Sequence, residues 1–330
     1  MGKTNLLDAV HYVCTGKSYF NRSDLNSISF EEEFSFIKTE LQNEEDVVEL
    51  NISISKKTKK QLLRNGVRIP KLSDHYGYLP VVFLTPAEIN LVNDASKLRR
   101  RFVDRILGQV DENYLLAIVR YNKLLESRNE LLKMMLERGA FDPLALEAYD
   151  KDLIPLMDQI FKVRSNFVEA FGPLVTEAYK LMAGENELVE IEYESDLISK
   201  EAIKLIEANK SKDRFAGRTT AGIHKDDLNF SLNQMSLKNF GSQGQINSFV
   251  IAVHLAAYQF IKDKTGKRPV LLLDDIFEKI DSERADRLLR EIGKKGYGQI
   301  FITDTDEIRI KSHINDIRAD KKFFKFEATK

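Results

Sequence analysis

Late in the chain stands Pro269-Val270-Leu271-Leu272-Leu273-Asp274-Asp275, an apolar run closed by two carboxylates. A stretch apolar on both faces has no side to offer water, so it reads as a strand buried in the parallel sheet of an α/β fold. In such sheets ligands gather at the carboxyl ends of the strands. An unpaired buried carboxylate is costly, so the pair at that edge calls for company. Asp274 would hold Mg2+ through water, and Asp275 would orient or deprotonate an attacking water. The bland alternative is a strand running into a polar loop.

The amino terminus supplies a matching piece. Gly2-Lys3-Thr4, followed by Asn5 and an amphipathic run, is the closing half of the pattern G-x-x-x-x-G-K-[ST]. In that pattern backbone N–H groups and the Lys hold the β- and γ-phosphates of a nucleotide, and the Thr hydroxyl faces Mg2+. The opening half is absent: on this alignment Met1 is the last variable residue of the loop, and the first Gly and the strand before it are missing. The expectation is a chain that begins inside its own phosphate loop, through truncation or an internal methionine taken as a start, with ATP binding impaired.

Two further segments fit a nucleotide site. Ser242 and Gly244 stand at the mouth of a helix whose apolar face includes Phe249, Val250, Val253, Leu255 and Ala256; its exposed N–H groups and positive dipole end suit an anion, while Ser242 as a plain N-cap is the simpler reading. Asp281 or Ser282 caps the helix that follows Ile276 to Ile280.

The rest of the chain reads as an α/β domain interrupted by helices. Leu6, Leu7, Val10 and Val13 make a helical stripe that Gly16 can end. Phe34 to Leu41 and Val47 to Ile54 alternate with period two, Asn65-Gly66 suits a tight hairpin turn, and Pro80 to Thr85 looks like a buried strand. From about Ala95 to Asn209 the texture is helical, with Ile118, Leu125 and Leu132 one heptad apart and Pro143, Pro155 and Pro173 placed to start or bend helices. Strand texture returns at 228–232, 269–275 and 299–303.

Charge narrows the partners. Lys and Arg number 50 against 51 Asp and Glu, so nucleic-acid binding must come from local patches and not from a global field. Such a patch lies between Asn51 and Ser73, where Lys56, Lys57, Lys59, Lys60, Arg64, Arg68 and Lys71 meet no acid; phosphate contacts there would be sequence-independent and salt-sensitive. Arg99, Arg100, Arg101 and Arg105 form a second cluster, of which one is expected to pair with Asp94 or Asp104 or to sense nucleotide or DNA. His224-Lys225-Asp226-Asp227 reads as a polar turn before a strand. One cysteine, Cys14, and five scattered His give neither an internal disulfide nor a zinc site, which fits a reducing cytoplasm. The longest apolar run, Phe249 to Ala257, is broken by His254 and too short to span a bilayer, and no secretory leader is expected.

Together the stretches GKTNLLDAVHYVCTGKSY, LTPAEINLVNDASKLRRRFVD, YDKDLIPLMDQI, AGIHKDDL, GSQGQ and LLLDDIFEKIDSERADRLL resemble the RecF family of DNA repair ATPases, relatives of the ABC-type and SMC-type heads. The resemblance implies an α/β ABC-type P-loop ATPase head, a mixed sheet with flanking helices and a β-subdomain, carrying an inserted α-helical lobe. The ATPase lobe would comprise residues 1–94 and 213–330, the helical lobe residues 95–212. Gly2, Lys3, Thr4 and Asn5 would belong to Walker A, with Lys3 and Asp275 catalytic and Thr4 and Asp274 on the metal. Ser242, Gln243, Gly244 and Gln245 would be the ABC-type signature, and Asp281 would fall in the D-loop. Thr303 or Asp304 would stand where transporters keep a switch histidine, which this chain lacks there; Ile246-Asn247 also replaces the Gln-Arg more frequent in relatives. In this class the signature of one head completes the ATP site of another, so an ATP-dependent homodimer is implied, with slow, DNA-stimulated ATP turnover in the full-length family form. The implied work is recombinational repair and replication restart: binding of double-stranded DNA and single-strand to double-strand junctions at gaps, and help in loading RecA with RecO and RecR, in the cytoplasm at the nucleoid and away from membranes. The alternative is another SMC-like ATPase, or one of the overcoming-lysogenisation type, with a different DNA-processing partner.

Overall fold

The computed structural model describes residues 2–21, 23–42, 46–278, 280–294, 296–307, 310–311 and 320–326; Met1, assigned above to the variable part of the phosphate loop, lies outside them. The chain runs α1 (Lys3–Thr15), β1 (Phe34–Gln42), β2 (Val47–Ser55), β3 (Gln61–Arg64), β4 (Val67–Arg68) and β5 (Val81–Leu84). It continues with α2 (Asn90–Asn93), α3 (Ser96–Val110), α4 (Glu112–Arg138), α5 (Pro143–Ala183), β6 (Val189–Glu194) and α6 (Ala202–Ala216). Then come β7 (Asp227–Leu232), β8 (Met235–Ser236), α7 (Leu237–Phe240), α8 (Gln243–Thr265), β9 (Val270–Asp274), α9 (Ser282–Ile292) and β10 (Ile300–Thr303). The fold is α/β, and it divides into two units: Met1–Glu88 with Ala257–Lys330, and Ile89–Ala256.

In the first unit the apolar run of the sequence becomes β9, every residue of it buried, paired in parallel with β5 on one side and β10 on the other. Helix α1 covers this sheet, and Leu7 and Cys14 pack with Val81, Phe83, Val270 and Leu272. It ends at Gly16, whose φ of 71° is left-handed. The turn therefore favours glycine, and a side chain there would also displace Leu72, its Cβ falling 2.1 Å from Leu72 Cδ1. The strands β1 to β4 form an antiparallel sheet in sequence order. Period-two alternation directs Leu50, Ile52 and Ile54 inward against Tyr12 and Val13 of α1. Asn65 and Gly66, at φ 49° and 76°, turn β3 into β4, with Arg64 opposite Val67; two positive φ values in a two-residue loop are the conformation that Asn-Gly favours.

The second unit holds the helices α2 to α7, the first part of α8 and the antiparallel sheet β6-β7-β8. Asp142 caps α5, and Pro143 occupies its first turn, whereas Pro155 and Pro173 lie inside this 41-residue helix without ending it. The inward stripes of the helices are not purely apolar. Along α4 the buried residues include Tyr114, Ile118, Tyr121, Arg128, Leu132 and Met135, and along α5 Asp150 and Arg164 share the stripe with Leu146, Leu153, Met157, Ile160, Phe167 and Phe171. Arg128 is 0% exposed. It donates to Asp150 (2.8 Å), Asp213 (2.7 Å) and the Thr219 hydroxyl (2.8 Å). Arg164 reaches Asp104 (2.9 Å), Asp226 (3.3 Å), the Tyr114 hydroxyl (3.0 Å) and the Ile223 carbonyl (2.8 Å). Such charges are tolerated only because each is hydrogen-bonded and paired; removal of one partner of a buried pair destabilises by roughly 3–5 kcal/mol. Asp104 thus pairs with Arg164, while Arg99 takes Asp227 through two bonds (2.6 and 2.9 Å) and the Asp94 carbonyl (2.8 Å). The stretch His224 to Asp227, read above as a polar turn before a strand, is one: the Lys225 N–H donates to the Gly222 carbonyl at 2.8 Å and β7 begins at Asp227. Its Asp226 and Asp227 also feed this network. Among the described residues no helix is long and apolar enough to cross a membrane.

His224 lies between the Tyr121 hydroxyl (2.8 Å) and the Thr219 carbonyl (3.2 Å). Burial lowers its pKa from 6.5 to about 4, with Lys225 and Arg100 adding to the effect and the Thr219 contact and Asp213 opposing it. The unfolded chain therefore binds the proton first: the stability due to neutral His224 is complete above pH 6.5 and falls as pH drops toward 4, by about 3 kcal/mol in all. Urea denaturation at pH 7 and pH 5 will show a smaller acid loss in His224→Gln than in the parent.

Candidate functional site

The carboxyl edge of β9 gathers the residues singled out at both ends of the sequence. Thr4 Oγ1, in the first turn of α1, lies 3.2 and 3.0 Å from the two oxygens of Asp274. Asp274 is 4% exposed. Its Oδ1 also accepts from Thr303 Oγ1 at 2.6 Å, because the parallel register sets Thr303 beside Asp274. A carboxylate so placed has exchanged water for two hydroxyls, the minimum that makes its burial tolerable. Lys3 Nζ donates to the Asp304 carbonyl at 2.7 Å.

Asp275 follows at φ 45°, a left-handed conformation that Asp adopts more readily than most residues. Its N–H reaches Thr303 Oγ1 at 3.1 Å, while its Oδ1 is buried without a hydrogen-bond donor among the described residues. Burial pushes the Asp275 carboxyl up; Lys3 opposes the shift, and Asp274, Glu278 and Asp304 reinforce it. The direction is the one a proton acceptor near neutral pH requires. Gly2 caps α1 at φ 102°, and a side chain there would be strained. Asn5 is exposed on the same first turn.

Oxygen donors Thr4 and Asp274 in contact, an orphaned acceptor on Asp275 and a Lys at a helix N-terminus are a donor set for a hard cation shared with a phosphate chain. Among the described residues no three His, Cys, Asp or Glu side chains converge on one point. An all-protein cage is thus missing from them, and Mg2+ seldom uses one, since substrate phosphates and water complete its shell. Asp281 caps α9, its Oδ1 accepting from the Arg284 N–H at 2.9 Å, a bond that lowers its pKa.

In the other unit, Ser242 and Gln245 cap α8 reciprocally. The Gln245 N–H donates to Ser242 Oγ at 3.3 Å, and the Ser242 N–H donates to Gln245 Oε1 at 2.8 Å. This is the capping box, whose serine and glutamine must be three residues apart. Ser242 and Gln243 are exposed, and the Gly244 carbonyl accepts from Ser248 Oγ at 2.9 Å.

The basic patch is split. Lys56, Lys57, Lys59 and Arg68 are exposed around the β2–β3 loop and the β3–β4 hairpin, with Lys57 paired to Glu33 at 2.9 Å. Lys60 is turned inward, bonded to Asp24 (2.8 Å) and the Gly16 carbonyl (2.7 Å), and Arg64 stacks on Tyr78 with its guanidinium carbon 3.6 Å from the ring centre. Sequence reasoning missed the hydroxyl of Thr303 as partner of Asp274; its signal is the polar residue that ends the run Ile300 to Thr303 as Asp274 ends its own.

No family model matches the chain. Curated relatives do. The chain is 38% identical over 324 residues to the DNA replication and repair protein RecF of Flavobacterium johnsoniae, spanning 98% of this chain and 90% of that one. It is 37% identical over 329 residues to the protein of the same name from Phocaeicola vulgatus, spanning 99% and 88%. Among solved structures, that of the recombination mediator protein RecF-ATPrS in the RecFOR pathway superposes with a TM-score of 0.83 at 25% identity, over 93% of this chain and 84% of that chain.

Thr303→Val removes one of the two hydroxyls on the buried Asp274 carboxylate and will lower stability by about 1–3 kcal/mol. Urea midpoints are the measure, with Thr303→Ser, which keeps the hydroxyl, expected to stay close to the parent.

Proposed function

The chain belongs to the RecF family of DNA replication and repair proteins, and from that premise we propose that it is a nucleotide-driven clamp that marks gapped DNA for repair. The observation that carries the reading is the contact of Thr4 with Asp274 beside Lys3 and Asp275. In this reading Gly2, Lys3 and Thr4 hold the β- and γ-phosphates of ATP, with Asn5 on the same turn. Thr4 and Asp274 hold Mg2+, which when bound neutralises charge on the phosphate oxygens. Asp275, its carboxyl pushed up by burial, orients the attacking water and takes its proton.

Ser242, exposed at the capped start of α8, contacts the γ-phosphate held by a second copy, with Gln243, Gly244 and Gln245 shaping the turn and Asp281 reaching across the same junction. Two copies related by a twofold axis then enclose two nucleotides. Loss of the γ-phosphate removes contacts made only in the dimer, so hydrolysis releases it by differential affinity. Lys56, Lys57, Lys59 and Arg68 hold DNA phosphates at single-strand to double-strand junctions, while Lys60 and Arg64 brace that surface through the contacts described above. RecO and RecR are the partners with which the bound protein helps load RecA.

Sedimentation velocity tests this directly. With ATP and Mg2+ the parent is expected to shift from monomer to dimer, Lys3→Ala to remain monomeric, and Asp275→Asn to bind ATP and hold the dimer longer. A parent chain that stays monomeric with nucleotide bound would refute the clamp.

A further inference from the structure

The capping box at Ser242 is held from outside its own helix. Gln245 uses the oxygen of its side-chain amide on the Ser242 N–H, and its Nε2 donates to Glu187 Oε1 at 2.6 Å. The other oxygen of Glu187 accepts from the Tyr179 hydroxyl at 2.6 Å. Tyr179 is fully buried near the end of α5, and Glu187 lies between α5 and β6. A chain of hydrogen bonds thus runs from the longest helix to the exposed Ser242.

An ionised carboxylate only accepts, while a glutamine amide has one donating end and one accepting end. Glu187 therefore dictates which end of Gln245 faces it. With the nitrogen turned to Glu187, the oxygen must face the Ser242 N–H. Rotation of the amide by half a turn would oppose donor to donor at Ser242 and acceptor to acceptor at Glu187, and the box would open. In the closed box Ser242 Oγ accepts from the Gln245 N–H, and the hydroxyl proton has no acceptor among the described residues.

We propose that Glu187, anchored by Tyr179, is a positioning residue that fixes the Gln245 amide and so leaves the Ser242 hydroxyl proton aimed at an anion. The consequence for ATP rests on the reading of Ser242 as a phosphate contact; the positioning itself does not.

A charge swap in the full chain tests it. Gln245→Glu sets a carboxylate against Glu187, whereas adding Glu187→Gln restores one donor facing one acceptor with the charge moved across the bond. Hydrogen exchange at the amides of residues 242 and 245, without nucleotide, reads the box itself; ATP-dependent self-association reads its use. Gln245→Glu is expected to speed exchange and weaken association by about fivefold to thirtyfold, and the double variant to return both to parental values. Parental exchange in Gln245→Glu, or a double variant no better than the single one, would overturn the proposal. Ser242→Ala separates the two ideas. If it leaves association at the parental level while exchange follows the swap, the phosphate-contact reading fails and the role of Glu187 stands; if it abolishes association while exchange ignores the swap, the role of Glu187 fails alone.

Discussion

The buried carboxylate of Asp274 is the constraint around which the first unit is organised. A charge at the end of an apolar strand is stable only if donors from other segments converge on it. Here those donors are hydroxyls of Thr4 on α1 and Thr303 on β10, so three segments far apart in sequence are tied at one point. The same tie sets the start of α1 at the sheet edge, with Lys3 near Asp275. The proposed chemistry, a phosphate chain and a cation held together, rests on that junction of a helix start and an acidic strand end.

The second unit answers a different demand. Its helices bury Arg128, Arg164, Asp150, Asp213 and Asp226 among apolar neighbours, and each is matched by an opposite charge or hydroxyl. Ion pairs of this kind contribute little net stability, since desolvation offsets most of the attraction. Their geometric demands are strict, and a helix that slipped by one turn would strand several charges at once. In the same unit the exposed Ser242 is tied through Gln245 and Glu187 to the end of α5.

Much of this was legible in the sequence because it is local. The run Val270 to Asp275 announced a buried parallel strand, Asn65-Gly66 a two-residue hairpin, and Gly16 a helix end, each through a conformational preference that acts over a few residues. The charged stripe was less visible: Arg128 sits in register with Ile118, Tyr121 and Leu132, yet an arginine on a helix is ordinarily taken for a solvated one. Lys60 and Arg64 counted toward a basic patch for the same reason, although Asp24, the Gly16 carbonyl and Tyr78 engage them. Glu187 gave no signal at all, since its partner Gln245 lies 58 positions away and only the tertiary fold brings them together.

The central claim is that Thr4 and Asp274 share one cation with the triphosphate held by Lys3. Its most direct measure is the gain in ATP affinity on adding Mg2+, determined by equilibrium titration for the parent, Thr4→Val and Asp274→Asn. The account predicts a clear gain in the parent that is lost in both variants. An equal gain in all of them would place the cation elsewhere and contradict it.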